Sequence, residues 1–485
     1  MRSRMSRRLG SILQFELAPE LRTLAVEARG VKPLIRKEPE LPAGYSWHDY
    51  AVLLLHIAAE VEHALMVQYL YAAYSLGGPQ VPPKHRDRVR HWQEVVLGIA
   101  KEEMGHLITV QNVLRLIGGP LNLDREDYPW GSEFYPFEFK LEPLTKDSLA
   151  RYIFAEAPAG WDDEEAREIK KRAAKGASRQ PLHRVGELYD RMQKILANPE
   201  YVKDADFQAA TTTFQASWDE WGRGYMLGAR GQSTTTRRQT TPDVIVQPVS
   251  TRDEAVEALA AIGKQGEARF YDPDVDEESH FRRFLEIYRD YPEDEWVPTR
   301  PVPINPKTEL DLDADRVVVG ALRSTSRAAD AAPRCVTITH PESSRWAYLF
   351  NLRYRMLLVN LSHAYELAGA LGQGEVLTAR GLLINRTFGE MYNVRSLSNL
   401  LVELPLDTSG SGAMAGPPFE MPYSLELPAT EADRWRLHRD LLEASQHLTA
   451  ELRRQYPERH TDYLRALEDL DAQALASVRK MIPKS

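Results

Sequence analysis

Val52, Leu55, Ala59, Met66, Tyr69 and Ala73 recur at steps of three and four, with Glu62 on the same period. That period predicts one long helix over 46–76, and Gly77-Gly78-Pro79 stops it. A second predicted helix, rich in Val, Leu and Ala, runs over 87–117 and ends at Gly118-Gly119-Pro120. Two long antiparallel helices joined by a short loop make half of a four-helix bundle. The chain then becomes aromatic and Pro-rich over 122–144, which reads as an ordered crossing loop, and a short helix follows over 148–156. The polar stretch 161–179 reads as a solvated surface excursion. A third bundle helix is predicted from about 182 to 197, and 228–243 reads as a loop. Ser250-Thr251-Arg252-Asp253-Glu254 is a capping-box signature opening a fourth helix to about 267. A further helix is predicted over 277–291, and Pro-rich sequence over 298–306 marks a boundary.

Beyond that boundary the pattern stays helical, over 346–370, 376–404, 431–456 and 459–481, with no alternation that would predict strands. The expected architecture is therefore all-α. It comprises an N-terminal tail (1–45), a four-helix bundle with long loops (46–297) and a helical C-terminal domain (298–485).

Against this apolar background a few residues carry chemistry. Glu103 and His106 sit three apart on a helix face flanked by Ile99, Ala100, Leu107 and Val110. Positions i and i+3 project from the same face, so a carboxylate and an imidazole can point into one cavity. Burying a carboxylate there costs several kcal/mol unless it is paired or bound to a metal. Glu-x-x-His occurs three times, at Glu60/His63, Glu103/His106 and Glu277/His280. Composition alone gives about one such spacing by chance. The bland alternative is a set of salt-bridged carboxylates and satisfied core histidines. On the first helix Glu60 lies about 160° from Glu62 around a regular helix, so the two cannot easily share one site, and His63 points elsewhere than Glu62.

Several short runs carry a resemblance. They are 53–77 with its Glu62-His63-Ala64, Glu102-Glu103-Met104-Gly105-His106, Gly186-Glu187-Leu188-Tyr189, Gln265-Gly266-Glu267, Ser279-His280-Phe281 and Ala415-Gly416-Pro417-Pro418-Phe419-Glu420. In this order they resemble the ferritin-like domain family of the iminophenyl-pyruvate dimer synthase, or violacein-pathway, type, over most of 46–425. The resemblance implies a metal site built from Glu62, Glu103, His106, Glu187, Glu267 and His280, with Glu277 the alternative to Glu267. It also implies oxidative natural-product chemistry, such as imine oxidation or oxidative coupling, on an aromatic or amino-acid-derived small molecule with O2 or peroxide. Carboxylates with imidazoles suit iron, two ions being expected, or manganese. Tyr69, one heptad beyond Glu62, is the candidate catalytic residue, and Tyr71, Tyr74 and Trp92 are expected to line a substrate pocket.

Charge and cysteine usage narrow the partners. A net charge of -9 argues against nucleic acid. The single cysteine, Cys335, excludes an intrachain disulfide and fits a reducing compartment. Apolar runs such as 51–57 are too short for a membrane span. Ser6-Arg7-Arg8-Leu9 looks like the start of an export signal, but Gln14, Glu16, Glu20 and Arg22 interrupt the apolar stretch such a signal needs. The expectation is a cytoplasmic enzyme with a small-molecule partner, self-association being left open. Two further readings stay open, a metal-storing ferritin relative and a helical interaction module without catalytic activity.

Overall fold

The computed structural model describes residues 39–129, 139–158, 160–174, 185–217, 246–266, 279–292, 295–308, 335–369, 372–373, 376–421 and 425–482. Helices dominate, and the strands among these residues are two-residue pairs, Pro306–Lys307 with Val336–Thr337 and Gly372–Gln373 with Val376–Leu377. The chain is all-α. It divides into two compact units, the first holding 82–140, 144–297 and everything before Tyr74, the second holding 74–81, 141–143 and 298–485.

In the first unit, α1 (Trp47–Ser75) and α2 (Arg86–Leu116) are the long continuous helices. Helix α1 buries nearly its whole circumference, including Leu54, Leu55, Ala58, Ala59, Leu65 and Tyr69, as a helix apolar on all sides must. It is long and apolar enough to cross a membrane, which the short apolar runs did not suggest. The reason is that its few polar residues are spaced out. However, 78% of its most apolar window is buried inside the protein. Helix α2 ends where Gly118 adopts φ +73°, a left-handed conformation open to glycine at little cost.

Among the described residues, five shorter α-helices accompany this pair: α3 (Lys146–Ala155), α4 (Glu164–Ala173), α5 (Val185–Ala197), α6 (Arg252–Gly266) and α7 (His280–Asp290). Helix α5 packs on α6, α3 packs on α4 and α7, and α2 meets both α6 and α7. Helix α4 corrects the expectation of a solvated excursion. Asp163 caps it by accepting from the Ala166 amide, and Ala166, Ile169 and Ala173 form a buried stripe beneath its charged face. The capping box at α6 is present, with Glu254 accepting from the backbone amides of Ser250 and Thr251.

The second unit contains α8 (Pro341–Ala364), α9 (Ala379–Leu401), α10 (Glu431–Gln455) and α11 (Thr461–Met481). An apolar core of Met356, Leu383, Trp435, Leu442, Leu475 and Val478 joins them. Buried Arg353 of α8 also meets Asp471 of α11, Glu390 of α9 and Ser445 of α10. His363, on α8, places Nδ1 3.0 Å from His438 Nε2 and Nε2 3.0 Å from Glu431 Oε2. His363 and Glu390 thus serve packing inside this unit.

Burial pushes His363 below the ordinary histidine range, and burial with the nearby Arg386 charge pushes His438 well below it. A histidine whose native affinity for protons is depressed costs stability once the unfolded chain can take the proton, that is, as pH falls below about 6.5. The loss has a ceiling of about 1.4 kcal/mol per pH unit for each such histidine. Urea midpoints at about pH 7.5 and 5.5 should therefore diverge more for the wild type than for His438→Gln. Equal divergence would contradict this assignment.

Candidate metal centre

Each chemistry-bearing side chain in the first unit is placed by where its helix runs or stops. Glu62 lies mid-way along α1, and Glu102, Glu103 and His106 lie on one turn of α2. Glu156 is the C-cap of α3, Gln265 and Gly266 end α6, and His280 opens α7, where Ser279 caps by accepting from the Arg282 amide. Helix ends thus converge on the middles of the two long helices.

Two groups result. Glu62, Glu103 and His106 offer ligand atoms within 4.8 Å of one another, and so do Glu103, Glu156 and His280; all five residues are buried. Glu103 belongs to both. His106 Nδ1 lies 2.9 Å from Glu103 Oε2 and 3.3 Å from Glu62 Oε2. His280 Nδ1 lies 3.0 Å from Glu103 Oε1 and 3.8 Å from Glu156 Oε2. The arrangement is nearly two-fold: a shared carboxylate in the centre, and one imidazole and one terminal carboxylate on each side.

An outer ring fixes these groups. Tyr189 of α5 donates to Glu62 Oε1 at 2.5 Å, and Tyr69 of α1 donates to Glu156 Oε1 at 2.5 Å. His106 Nε2 faces Gln265 Oε1 at 3.1 Å and His280 Nε2 faces Glu102 Oε2 at 2.7 Å, so both outward nitrogens find an acceptor. Those bonds put the N–H on Nε2 and leave Nδ1 as the inward atom on both rings.

The groups of the centre shift one another's protonation. Burial, then the Glu103 charge, pushes Glu62 up to about 8, and the same two causes raise Glu156. Burial opposes ionisation of Glu103 too, but His280 and His106 outweigh it and hold this carboxyl well below its usual range. His106 loses to burial and gains more from Glu103 and Glu62, reaching about 10, and His280 is likewise held well above its ordinary value. Protons on imidazoles and carboxylates neutralise the cluster where cations would. Glu62 Oε2, Glu103 Oε1 and His280 Nδ1 are fully buried, and their contacts with the facing imidazoles and carboxylates, at 3.3 and 3.0 Å, fall short of aligned hydrogen bonds. Inward-facing carboxylate oxygens and imidazole nitrogens of this kind fit a hard or borderline divalent ion.

A last feature is the backbone at Gly266. A Cβ there would lie 3.4 Å from Glu156 Oε2 and from His280 Nδ1, and 3.6 Å from His106 Cε1. These are ordinary contacts, so Gly266→Ala should fold, with a thermal midpoint near that of the wild type. Its methyl would occupy the space between the two imidazoles. Metal affinity is expected to fall by about 10-fold or more, the range typical of disturbing groups around a ligand shell. Unchanged uptake measured by competition with a chelator would show that this space is not used.

The structure brings together four of the residues singled out from sequence, Glu62, Glu103, His106 and His280. Glu187 is different. It is exposed on α5, because the buried stripe of that helix is Val185, Tyr189, Met192 and Leu196, and Glu187 lies off it. Tyr189 takes the inward position instead. Glu156 supplies a carboxylate that sequence reasoning passed over, although it closes an apolar helix, Tyr152-Ile153-Phe154-Ala155, and the desolvation argument used for Glu103 applies to it equally. Glu267 and Glu277 lie outside the described residues.

Tyr69 packs against Tyr152 and Phe284, each at 4.9 Å between ring centroids. The expected aromatic lining is corrected at two positions. Trp92 stacks on Tyr291 and Trp296, and Tyr74 belongs to the second unit, where Ser398 is its hydrogen-bond partner. Tyr71 is buried on α1. Glu60 is buried as well, accepts from Asn122 at 3.2 Å and is pushed up by burial to about 8. It ties the loop after α2 to α1, away from the two ligand groups.

The chain is 25% identical over 405 residues to dichlorochromopyrrolate synthase of Lentzea aerocolonigenes. The match covers 76% of this chain and 36% of that protein, so the chain spans about a third of its relative's length. No solved structure matches significantly. Residues 55–289, just under half of the chain, match the family described as ferritin-like, and this segment is a ferritin-like domain.

Proposed function

We propose that this domain holds two metal ions, iron in the first place and manganese as the alternative, and oxidises an aromatic or amino-acid-derived small molecule. The observation that carries this reading is the shared, fully buried Glu103 between two matched Glu/His groups. One ion would be held by Glu62, His106 and Glu103, the other by Glu156, His280 and Glu103. Bound there, the ion pair would supply redox chemistry in which O2 or peroxide accepts the electrons that the substrate gives up.

The protein's own groups do the rest. Tyr189 and Tyr69 each hold one oxygen of a terminal carboxylate by donating their hydroxyl protons, which leaves the other oxygen turned inward. Burial keeps the Tyr69 phenol well above its ordinary pKa, so the proton stays on its oxygen and the hydrogen bond to Glu156 persists. Tyr69, Tyr152 and Phe284 make a buried aromatic cluster beside Glu156, packed edge-on and tilted, which holds the Tyr69 hydroxyl in place. The relative is named for making dichlorochromopyrrolate, which supports imine oxidation or oxidative coupling as the reaction class. The single cysteine, Cys335, is consistent with a reducing cytoplasm.

The test is consumption of O2 or hydrogen peroxide by metal-loaded protein, with aromatic amino acids, their keto acids and their imines as candidate substrates. Consumption that needs both metal and substrate, with a product lighter by two hydrogens or coupled, supports the proposal. Oxidation and accumulation of many iron atoms per chain without substrate would mean storage. A protein that takes up no metal would be a helical interaction module.

A further inference from the structure

Building on that reading, the two halves of the centre carry the same donor types. Each has a terminal carboxylate held by a tyrosine at 2.5 Å, and each has an imidazole turned inward through Nδ1. They differ in what stands behind the imidazole. His106 donates from Nε2 to the neutral amide oxygen of Gln265 at 3.1 Å, whereas His280 donates to the carboxylate of Glu102 at 2.7 Å.

Glu102 is only 1% exposed, and the Arg283 guanidinium bonds both of its oxygens, with Nη1 at 3.2 Å from Oε1. Arg283 is one turn along α7 from His280, so α7 presents the imidazole and the clamp for its partner on the same face. A carboxylate behind a histidine fixes the ring and raises its basicity as a ligand, and losing such a partner typically weakens metal binding by about 10–100-fold. A neutral amide fixes the ring without that charge. His280 Nδ1 is fully buried and faces the Glu103 and Glu156 oxygens at 3.0 and 3.8 Å.

We infer that the two positions are unequal, that Glu102 clamped by Arg283 makes the Glu156/His280 position the tighter one, and that the Glu62/His106 position backed by Gln265 fills second and exchanges first. Glu102 and Arg283 are positioning residues that act through His280.

The experiment is titration of the metal-stripped full chain with Co(II), followed by visible absorption and by competition with a chelator. Sharing of Glu103 would by itself separate two binding steps, so the diagnostic is which step each variant moves. Glu156→Gln should abolish the tight step and Glu62→Gln the weak one. Glu102→Gln should weaken the tight step by about 10–100-fold and leave the other nearly unchanged. Arg283→Gln should shift the same step in the same direction by less, and it serves if Glu102→Gln does not fold. Gln265→Glu should tighten the weak step. Two bound ions whose tight step ignores both Glu102→Gln and Arg283→Gln, or disappears in Glu62→Gln, would overturn the inference while leaving the metal centre standing. A wild type that binds no Co(II) would overturn both.

Discussion

Glu103→Ala is expected to empty the centre, taking metal content from about two ions per chain to near zero, because its carboxylate belongs to both groups. Glu62→Gln and Glu156→Gln should each leave about one ion, since each residue serves a single group. Turnover in Glu103→Ala should fall by more than about 100-fold, beyond what losing an outer partner causes. The variant should still fold. With the Glu103 charge gone, His106 and His280 lose much of what holds their protons, and imidazoles can shed those protons and remain buried as neutral rings. Elemental analysis beside a thermal midpoint separates loss of ligands from loss of structure. Two retained ions in a folded Glu103→Ala protein would remove Glu103 from the centre.

Asp471→Ala should have the largest effect on stability, for the opposite reason. Arg353 Nη1 lies 2.8 Å from Asp471 Oδ1 and 3.1 Å from Glu390 Oε1, Nη2 also bonds Asp471, and Ser445 Oγ donates to Asp471 Oδ2 at 2.7 Å. A guanidinium cannot give up its proton, so removal of Asp471 leaves Arg353 charged, 1% exposed and held mainly by Glu390. Breaking a buried pair in this way costs about 3–5 kcal/mol. Urea unfolding of the variant should show that loss. A change below about 1 kcal/mol would mean that water or a rearranged Glu390 compensates, against the expectation for a buried charge.

These two cases explain what the sequence made legible. Helices α1 and α2 were readable because glycine–proline stops bracket long apolar runs, and α8 to α11 because their periods are uninterrupted. Helix α4 was not legible because its charged residues outnumber its three buried apolar ones, Ala166, Ile169 and Ala173. Within the centre, Glu103 and His106 stood out as polar residues in apolar company, and Glu62 and His280 through the family resemblance, His280 also through its Glu-x-x-His spacing. Glu187 was chosen by its place in a motif, although the stripe Val185, Tyr189, Met192 and Leu196 pointed inward through Tyr189. Glu156 was readable by desolvation but lay outside any Glu-x-x-His spacing, since its partner His280 comes from a helix 124 residues further on. Of the outer ring, Tyr69 was legible, one heptad beyond Glu62, and the rest was not. Which acceptor stands behind each imidazole depends on where α6 stops and α7 starts, and those ends are fixed by packing.

The most direct measurement is anomalous X-ray scattering at the absorption edge of the bound metal, in crystals of protein loaded with iron or manganese. Two peaks flanking Glu103 are predicted, one within about 2.0–2.4 Å of Glu62 and His106 ligand atoms and the other equally close to Glu156 and His280. No peak between these side chains, or peaks only on the surface, would contradict the account.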